Sequence, residues 1–283
     1  MNYRHGFHAA NFADILKHVV LMRILTHLNA KDKPYRVIDT HAGAGRYDLG
    51  SDEALRTHEW RDGVARLDQA PLAPAVETLL APWRKAVAAA RALYGATSYP
   101  GSPWFCRQAM RDDDRLIAAE LHEGTYGKLV QAIGRDARCK ALAIDGWTAL
   151  GANVPPKERR GLVLIDPPFE EKDEFETLAR ALIAAWRKWP TGIYALWYPI
   201  KDRRAVDHLI EAIDEAGIGR LLRLEIDVDR PEAAGGLSAT GLLVVNPPWL
   251  LMQEAEILLP ALCERLAQGP RPRYRCEAIR PDG

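Results

Sequence analysis

Four short stretches of this chain carry side chains that could do chemistry together. The most informative is Leu162-Val163-Leu164-Ile165-Asp166-Pro167-Pro168-Phe169, an apolar run that delivers an acid, two prolines and an aromatic. Prolines fix φ and have no N–H, so the backbone there is stiff and offers carbonyl acceptors. Asp166 and a proline carbonyl can accept both hydrogens of an exocyclic amine. Phe169 can stack on the planar base that bears the amine, worth about 1–3 kcal/mol. Such an amine is a poor nucleophile because its lone pair is delocalised into the ring. Two acceptors draw it toward tetrahedral geometry and free the lone pair for in-line attack on a methyl sulfonium, which is catalysis by positioning and electrostatics. Asp166 need not remove a proton beforehand, since the amine becomes acidic only as it is methylated. In isolation the same four residues also describe a rigid turn.

The second stretch is Asp39-Thr40-His41-Ala42-Gly43-Ala44-Gly45-Arg46, an acid at a strand end followed by glycines two apart. Glycines let the backbone approach a ligand closely. The third glycine of a pyrophosphate fingerprint is missing, and no Gly-Lys-Ser/Thr loop is present, so a nucleoside without phosphates fits better than a dinucleotide or a nucleoside triphosphate. Next come Glu120, which could hold both ribose hydroxyls, and Asp145-Gly146, where the acid could accept from an adenine amino group and the glycine leaves space for the ring. Each acid has a plainer reading as a helix N-cap or turn residue. Their occurrence in series at strand ends is harder to dismiss.

Two further features need sorting. Asn246-Pro247-Pro248-Trp249 has the same chemical form as the Asp166 run. If its strand is antiparallel, it ends on the opposite edge of the sheet, so Asp166 is the expected catalytic residue and the second run a structural turn. At the N-terminus, Tyr3-Arg4-His5-Gly6-Phe7-His8 precedes a helix-like segment from Asn11 to Leu28. His5, His8 and His18 lack the closed ligand spacing of a metal site. Interleaved aromatic and basic residues fit nucleobase and phosphate contacts better. The polar loop Tyr99-Pro100-Gly101-Ser102-Pro103 could donate a Ser102 hydrogen bond to a carboxylate. From the residues alone, both of these segments read more readily as surface structure.

These residues must be positioned by a scaffold, and the pattern between them supplies one. Strand-like runs at Arg36–Asp39, Leu116–Glu120, Lys140–Ile144, Gly161–Ile165 and Ile193–Trp197 alternate with helix-like segments at Tyr126–Gly134, Asp173–Trp189 and Arg203–Ala216. That alternation predicts an α/β fold with a mostly parallel sheet covered on both faces. Leu221–Val228 and Gly241–Val245 have no helix between them and read as an antiparallel pair ending the sheet. A helix from Gln253 to Leu266 and a Pro/Arg-rich tail follow. Asp39 and Glu120 are 81 residues apart, where a minimal dinucleotide fold needs ~20, which leaves roughly 50–60 residues to explain. The intervening Arg56–Tyr94 is helix-biased, broken at Pro71, Pro74 and Pro82. The expectation is one domain, 1–283, with a helical insertion over 50–98.

Composition narrows the class. Thirty-eight Lys and Arg balance thirty-eight Asp and Glu in 283 residues, which excludes a generally cationic nucleic-acid coat but not a local basic surface. Arg4, Lys17, Arg46 and Arg159-Arg160 are candidates for one around the pocket. The four cysteines have no paired short spacing, so they read as reduced thiols rather than zinc ligands or disulfides. No apolar run reaches the ~20 residues of a membrane span, and no signal peptide is legible. The expected location is cytoplasmic.

Taken together, the motifs resemble the RlmJ family, bacterial methyltransferases that modify N6 of an adenine in 23S ribosomal RNA. The resemblance runs from Tyr3 to about Trp249. It is carried by Tyr3-Arg4-His5 with Phe7-His8-Ala9, Ala13-Asp14, Leu16-Lys17-His18, Asp39 to Tyr47, Tyr99 to Pro103, Glu120-Leu121-His122, Asp145-Gly146, Arg159 to Pro168, Ala195 to Pro199 and Asn246 to Trp249. It implies a Rossmann-like S-adenosylmethionine-dependent methyltransferase with a small helical insertion. By the same resemblance, S-adenosylmethionine contacts His18, His41, Ser102, Glu120, Asp145, Gly146 and Asp166, Asp166 is catalytic, and Tyr3, His5 and Lys17 serve the RNA. Phe169 stands where the family usually has Tyr, Ala10 and Phe12 where it has Gly and His, and Glu123 where Pro is common. The expected partner is 23S rRNA in a protein-free or early assembly state, with no metal and no membrane. Methylation of another exocyclic amine, such as guanine N2, and a non-catalytic RNA-binding or assembly factor are the competing readings.

Overall fold

The N-terminal segment Phe12–Asn29 folds as α1, capped by Asn11, whose side chain accepts from the backbone N–H groups of Ala13 and Asp14. Its side chains are buried on nearly every side, as expected of a helix packed between layers rather than on a surface. A computed structural model describes residues 4–232 and 235–279. After α1 come β1 (Arg36–Asp39), β2 (Arg46–Asp48), α2 (Asp52–Thr57), α3 (Val64–Gln69), α4 (Pro74–Tyr94), β3 (Ser98–Pro100) and α5 (Ser102–Ala109). The alternating core follows: β4 (Arg115–Ala119), α6 (Glu123–Ile133), β5 (Cys139–Leu142), α7 (Gly146–Asn153), β6 (Gly161–Ile165), α8 (Glu174–Lys188), β7 (Ile193–Pro199) and α9 (Arg203–Glu215). The chain ends with β8 (Leu221–Asp227), β9 (Ala239–Val245), α10 (Leu251–Leu266) and β10 (Arg273–Ile279).

Eight strands form one sheet in the order β10-β8-β9-β7-β6-β1-β4-β5. The strands β7, β6, β1, β4 and β5 are mutually parallel, whereas β9 runs antiparallel to both β7 and β8, and β10 antiparallel to β8. Val245 pairs with Tyr194 near the start of β7, so Asn246 emerges on the edge opposite the C-terminal ends of the parallel strands. There its side-chain amide donates to the carbonyls of Pro190 and Gly192, a turn-fixing role. One apolar core lies between the sheet and α1, α4, α5, α6 and α10, and the other under α7, α8 and α9. Among the described residues, no helix is long and apolar enough to cross a membrane.

The long segment after β1 is mostly helical, with two corrections to the sequence reading. Pro74 opens α4 and Pro82 lies inside it, so neither breaks a helix. Proline is favoured at a first helical position, and tertiary burial of Leu80, Trp83 and Val87 holds α4 together across Pro82. The Tyr99–Pro103 segment is not a loop: β3 pairs with β2 across Tyr47 and Tyr99, and Ser102 begins α5. The Pro/Arg-rich tail hides an edge strand, β10, whose pairing with β8 local sequence could not show. Arg159 and Arg160 precede β6 at the edge away from Asp166, where Arg160 donates to the carbonyls of Leu28 and Lys33. They leave the basic surface expected around the pocket.

Candidate active site

The C-terminal ends of the parallel strands open onto one cavity of about 1130 Å³. Every residue expected at the site lines it except Tyr3, which lies outside the described residues, and Phe169. Asp166 follows β6 directly and Glu120 follows β4, while Asp145 sits at the start of α7. The glycine loop after β1 passes between them. Gly43 and Gly45 both have positive φ, and a Cβ on Gly146 would collide with the Thr40 carbonyl and the His41 ring. Close backbone approach here therefore depends on glycine.

Asp166 is one end of a chain of alternating charges. Its Oδ2 accepts from the Lys17 ammonium at 2.6 Å. Lys17 Nζ also lies 2.9 Å from Asp14 Oδ1, and Asp14 Oδ2 is 2.9 Å from His5 Nε2 and accepts from the Ala10 N–H. Burial works against both Asp14 and Lys17, but their neighbours outweigh it. The carboxyl is held well below its ordinary range by His5 and Lys17, and the ammonium well above its own by Asp14 and Asp166. Both stay charged across the range in which proteins work. Asp14 and Lys17 are three residues apart on one helix, and that pairing distance was the legible signal for Asp14, which sequence reasoning did not assign to the site.

The segment leading into α1 is in turn tied to α2, α3 and the turn between them. Glu59 lies 3.1 Å from His8 Nδ1 and accepts from Asn11 Nδ2 at 2.9 Å. The Phe7 carbonyl accepts from Thr57, and the Ala10 carbonyl from the Val64 N–H. Ala10 has φ 63°, a left-handed conformation that suits glycine better.

The half of the cavity nearer Glu120 and Asp145 is built from different groups. Glu120 Oε1 accepts from the His122 N–H at 2.8 Å, leaving Oε2 for a ligand. Asp145 caps α7 through Oδ2, accepting from Thr148, so its helix-capping reading and a ligand role through the other oxygen coexist. Leu121, 56% exposed, and Trp147, edge-on to His41 at 5.0 Å, give the cavity apolar walls suited to a purine. Sequence reasoning missed both, since a lone Leu or Trp carries no motif. Burial lowers the His41 pKa to about 4. His18, bonded to the Tyr99 hydroxyl and packed on Phe105, is pushed to about 3 by burial. Both are neutral imidazoles. Ser102 lies beside buried Asp39, whose pKa burial raises to about 7. A carboxylate cage, apolar walls and glycine clearances fit a nucleoside carrying a small charged tail.

Phe169 is placed away from the cavity. With φ 51°, its ring packs on Phe175 at 4.8 Å and on Trp197 at 5.7 Å, so base stacking on this ring requires it to leave that packing. Among the described residues, no group of three or more His, Cys, Asp or Glu side chains is arranged to hold a metal.

A mostly parallel sheet with a carboxylate-lined cavity at its C-terminal edge and an Asp-Pro-Pro-aromatic strand end defines a Rossmann-like methyltransferase. The family model for "Ribosomal RNA large subunit methyltransferase D, RlmJ" matches residues 32–277. The chain belongs to this family. It is 40% identical to the ribosomal RNA large subunit methyltransferase J of Escherichia coli over 267 residues, covering 94% of each chain. It is 36% identical to the Haemophilus influenzae protein of the same name over the full length of both. A crystal structure of a Legionella pneumophila protein superposes with a TM-score of 0.85 at 30% identity, covering 96% of this chain and 98% of that one.

Proposed function

We propose that the chain transfers a methyl group from S-adenosylmethionine to the exocyclic N6 of an adenine in 23S rRNA, acting on protein-free or early-assembly RNA. The observation that carries this reading is Asp166, held by Lys17 at the strand end that faces the Glu120 and Asp145 carboxylates across one cavity. S-adenosylmethionine, when bound, supplies an electrophilic methyl on a sulfonium. Glu120 and Asp145 would hold its ribose and adenine, with Gly146 giving clearance, and His18, His41 and Ser102 would serve its amino-acid end.

The rest of the chemistry belongs to the chain. Asp166 keeps Oδ2 on Lys17 and offers Oδ1 to one N6 hydrogen, while the Pro167 carbonyl takes the other. Lys17, fixed on its far side by Asp14, sets the orientation of the carboxylate, which lowers the reorganisation needed at reaction. Methyl transfer, with the bonding pair left on the departing sulfur, would make N6 acidic. Its proton then passes to Asp166 and on to solvent. His5 and Tyr3 would contact the incoming nucleotide, and Phe169 would stack on the base once its ring leaves Phe175 and Trp197. Drawing an adenine from its stack costs a few kcal/mol, less in a loop or in stripped RNA. The whole chain, 1–283, works as one catalytic domain in which the insertion at 50–98 braces the N-terminal segment.

Incubating the protein with unmodified 23S rRNA fragments and with intact subunits, then mapping the product by mass spectrometry, tests the reading. N6-methyladenine in fragments is expected; a guanine N2 product overturns the adenine assignment. An Asp166→Ala protein that methylates at the normal rate refutes the assigned site. Failure of labelled S-adenosylmethionine to bind favours an assembly factor.

A further inference from the structure

The cavity has a cationic wall that the cofactor does not account for. Arg46, at the start of β2, and Lys128, exposed on α6, both line it. Arg4, which also lines the cavity, pairs with Glu53. Among the described residues, neither Arg46 nor Lys128 has a carboxylate within ion-pair distance. The Arg46 guanidinium instead lies over the Tyr94 ring, 4.5 Å from its centroid. Stacking on one face leaves the in-plane N–H donors of a guanidinium available, the geometry that grips phosphate oxygens bidentately.

The platform is braced from behind. Tyr94 is the last residue of α4 and meets the Trp104 ring edge-on at 5.4 Å. Trp104 is buried and donates its indole N–H to the Ala86 carbonyl. Next to Arg46, Gly45 and Gly101 fit against each other with a backbone bond at 2.9 Å, which fixes the base of the β2–β3 ribbon. S-adenosylmethionine has no phosphate and carries a cationic sulfur, and its single carboxylate is assigned above to the His18, His41 and Ser102 side, so unpaired cations here suit a polyanion instead.

We propose that Arg46, stacked on Tyr94, and Lys128 each bind a backbone phosphate of the RNA strand beside the target nucleotide. The inserted helices thereby contribute a substrate contact through the end of α4. This rests on the RNA-substrate reading above and adds the residues that grip the strand.

The test is fluorescence anisotropy of a labelled 23S-derived hairpin with an unpaired adenine, from about 50 to 200 mM KCl. Arg46→Ala is expected to weaken RNA binding about tenfold and to flatten the log–log salt slope by about 0.7, the value for one phosphate contact on a single strand. Lys128→Ala, at an exposed position that leaves the fold intact, flattens the slope similarly. Arg46→Lys recovers the slope but not the full affinity, and Tyr94→Phe binds better than Tyr94→Ala. The dissociation constant for S-adenosylmethionine stays at the wild-type value throughout. Wild-type affinity and slope in both Arg46→Ala and Lys128→Ala overturn the proposal, as does a parallel loss of S-adenosylmethionine binding. A wild type that shows this salt dependence yet modifies guanine overturns the adenine reading alone.

Discussion

Asp39→Asn isolates the energy stored beneath the glycine loop. Asp39 is fully buried, and neither carboxylate oxygen makes a hydrogen bond of ordinary geometry. Burial raises its pKa from 3.8 to about 7, the negative charge of Asp166 adds to the rise, and the Ser102 hydroxyl and Lys17 ammonium ease it. In the unfolded chain the group loses its proton near pH 4. Between about pH 4 and 7 the native state therefore holds a proton that the unfolded state has released, and stability falls as pH rises through that window. At 1.36 kcal/mol per unit, a rise of about three units amounts to roughly 4 kcal/mol, reached in full above pH 7. Asparagine keeps the shape and removes the titration. Urea melts at pH 4 and pH 8 should show the variant gaining roughly 4 kcal/mol on the wild type between the two, as a shift in midpoint at unchanged slope. Any constant offset from the extra amide hydrogens cancels in that difference. An equal gap at both pH values would refute the reasoning.

Three other outcomes follow from the same geometry. Asp14→Asn removes the negative charge that Lys17 and His5 share and leaves Lys17 with the Asp166 carboxylate alone; breaking a buried pair costs about 3–5 kcal/mol, and methyl transfer should fall with it. Because the Asp14 pKa is depressed, its contribution is present above about pH 4 and lost as pH falls, so the variant's melts should lack that acid limb; a wild-type pH dependence would contradict the pairing. Gly146→Ala should weaken S-adenosylmethionine binding in calorimetry, since the new methyl meets Thr40 and His41, and unchanged affinity would place the cofactor elsewhere. His18 and His41, depressed to about 3 and about 4, should show no imidazole titration near pH 6.5 by NMR. Their burial costs stability progressively as pH drops below 6.5, where the unfolded chain takes up protons that the native state refuses.

Much of the scaffold was legible because period and punctuation are local. The strand runs at Arg36–Asp39 and Gly161–Ile165 match β1 and β6 residue for residue, and the Asp-Pro-Pro and Gly-x-Gly signatures lie within single turns. The antiparallel direction of β9, which separates Asn246 from Asp166, also follows from the missing crossover helix. Chain order alone could not show β10, since an exposed strand with alternating charge is stabilised by its partner β8 rather than by its own propensity. Nor could it place Arg159 and Arg160: residues that precede a strand and residues that follow it lie at opposite edges of a parallel sheet.

The sequence by itself determined which groups are present to do chemistry: an acid followed by two prolines, three strand-end carboxylates, glycines where backbone must approach a ligand, and a balanced total charge. Tertiary structure decided how they are used. Lys17 and Asp166 are 149 residues apart yet share a hydrogen bond, because α1 lies over the sheet, packed against α4, α5 and β9. Glu59 reaches back from the turn between α2 and α3 to His8 and Asn11. The Phe169 ring turns into the core against Trp197. Such contacts are set by how the layers close over buried apolar surface, and only a three-dimensional arrangement brings opposite charges from distant segments into one desolvated site.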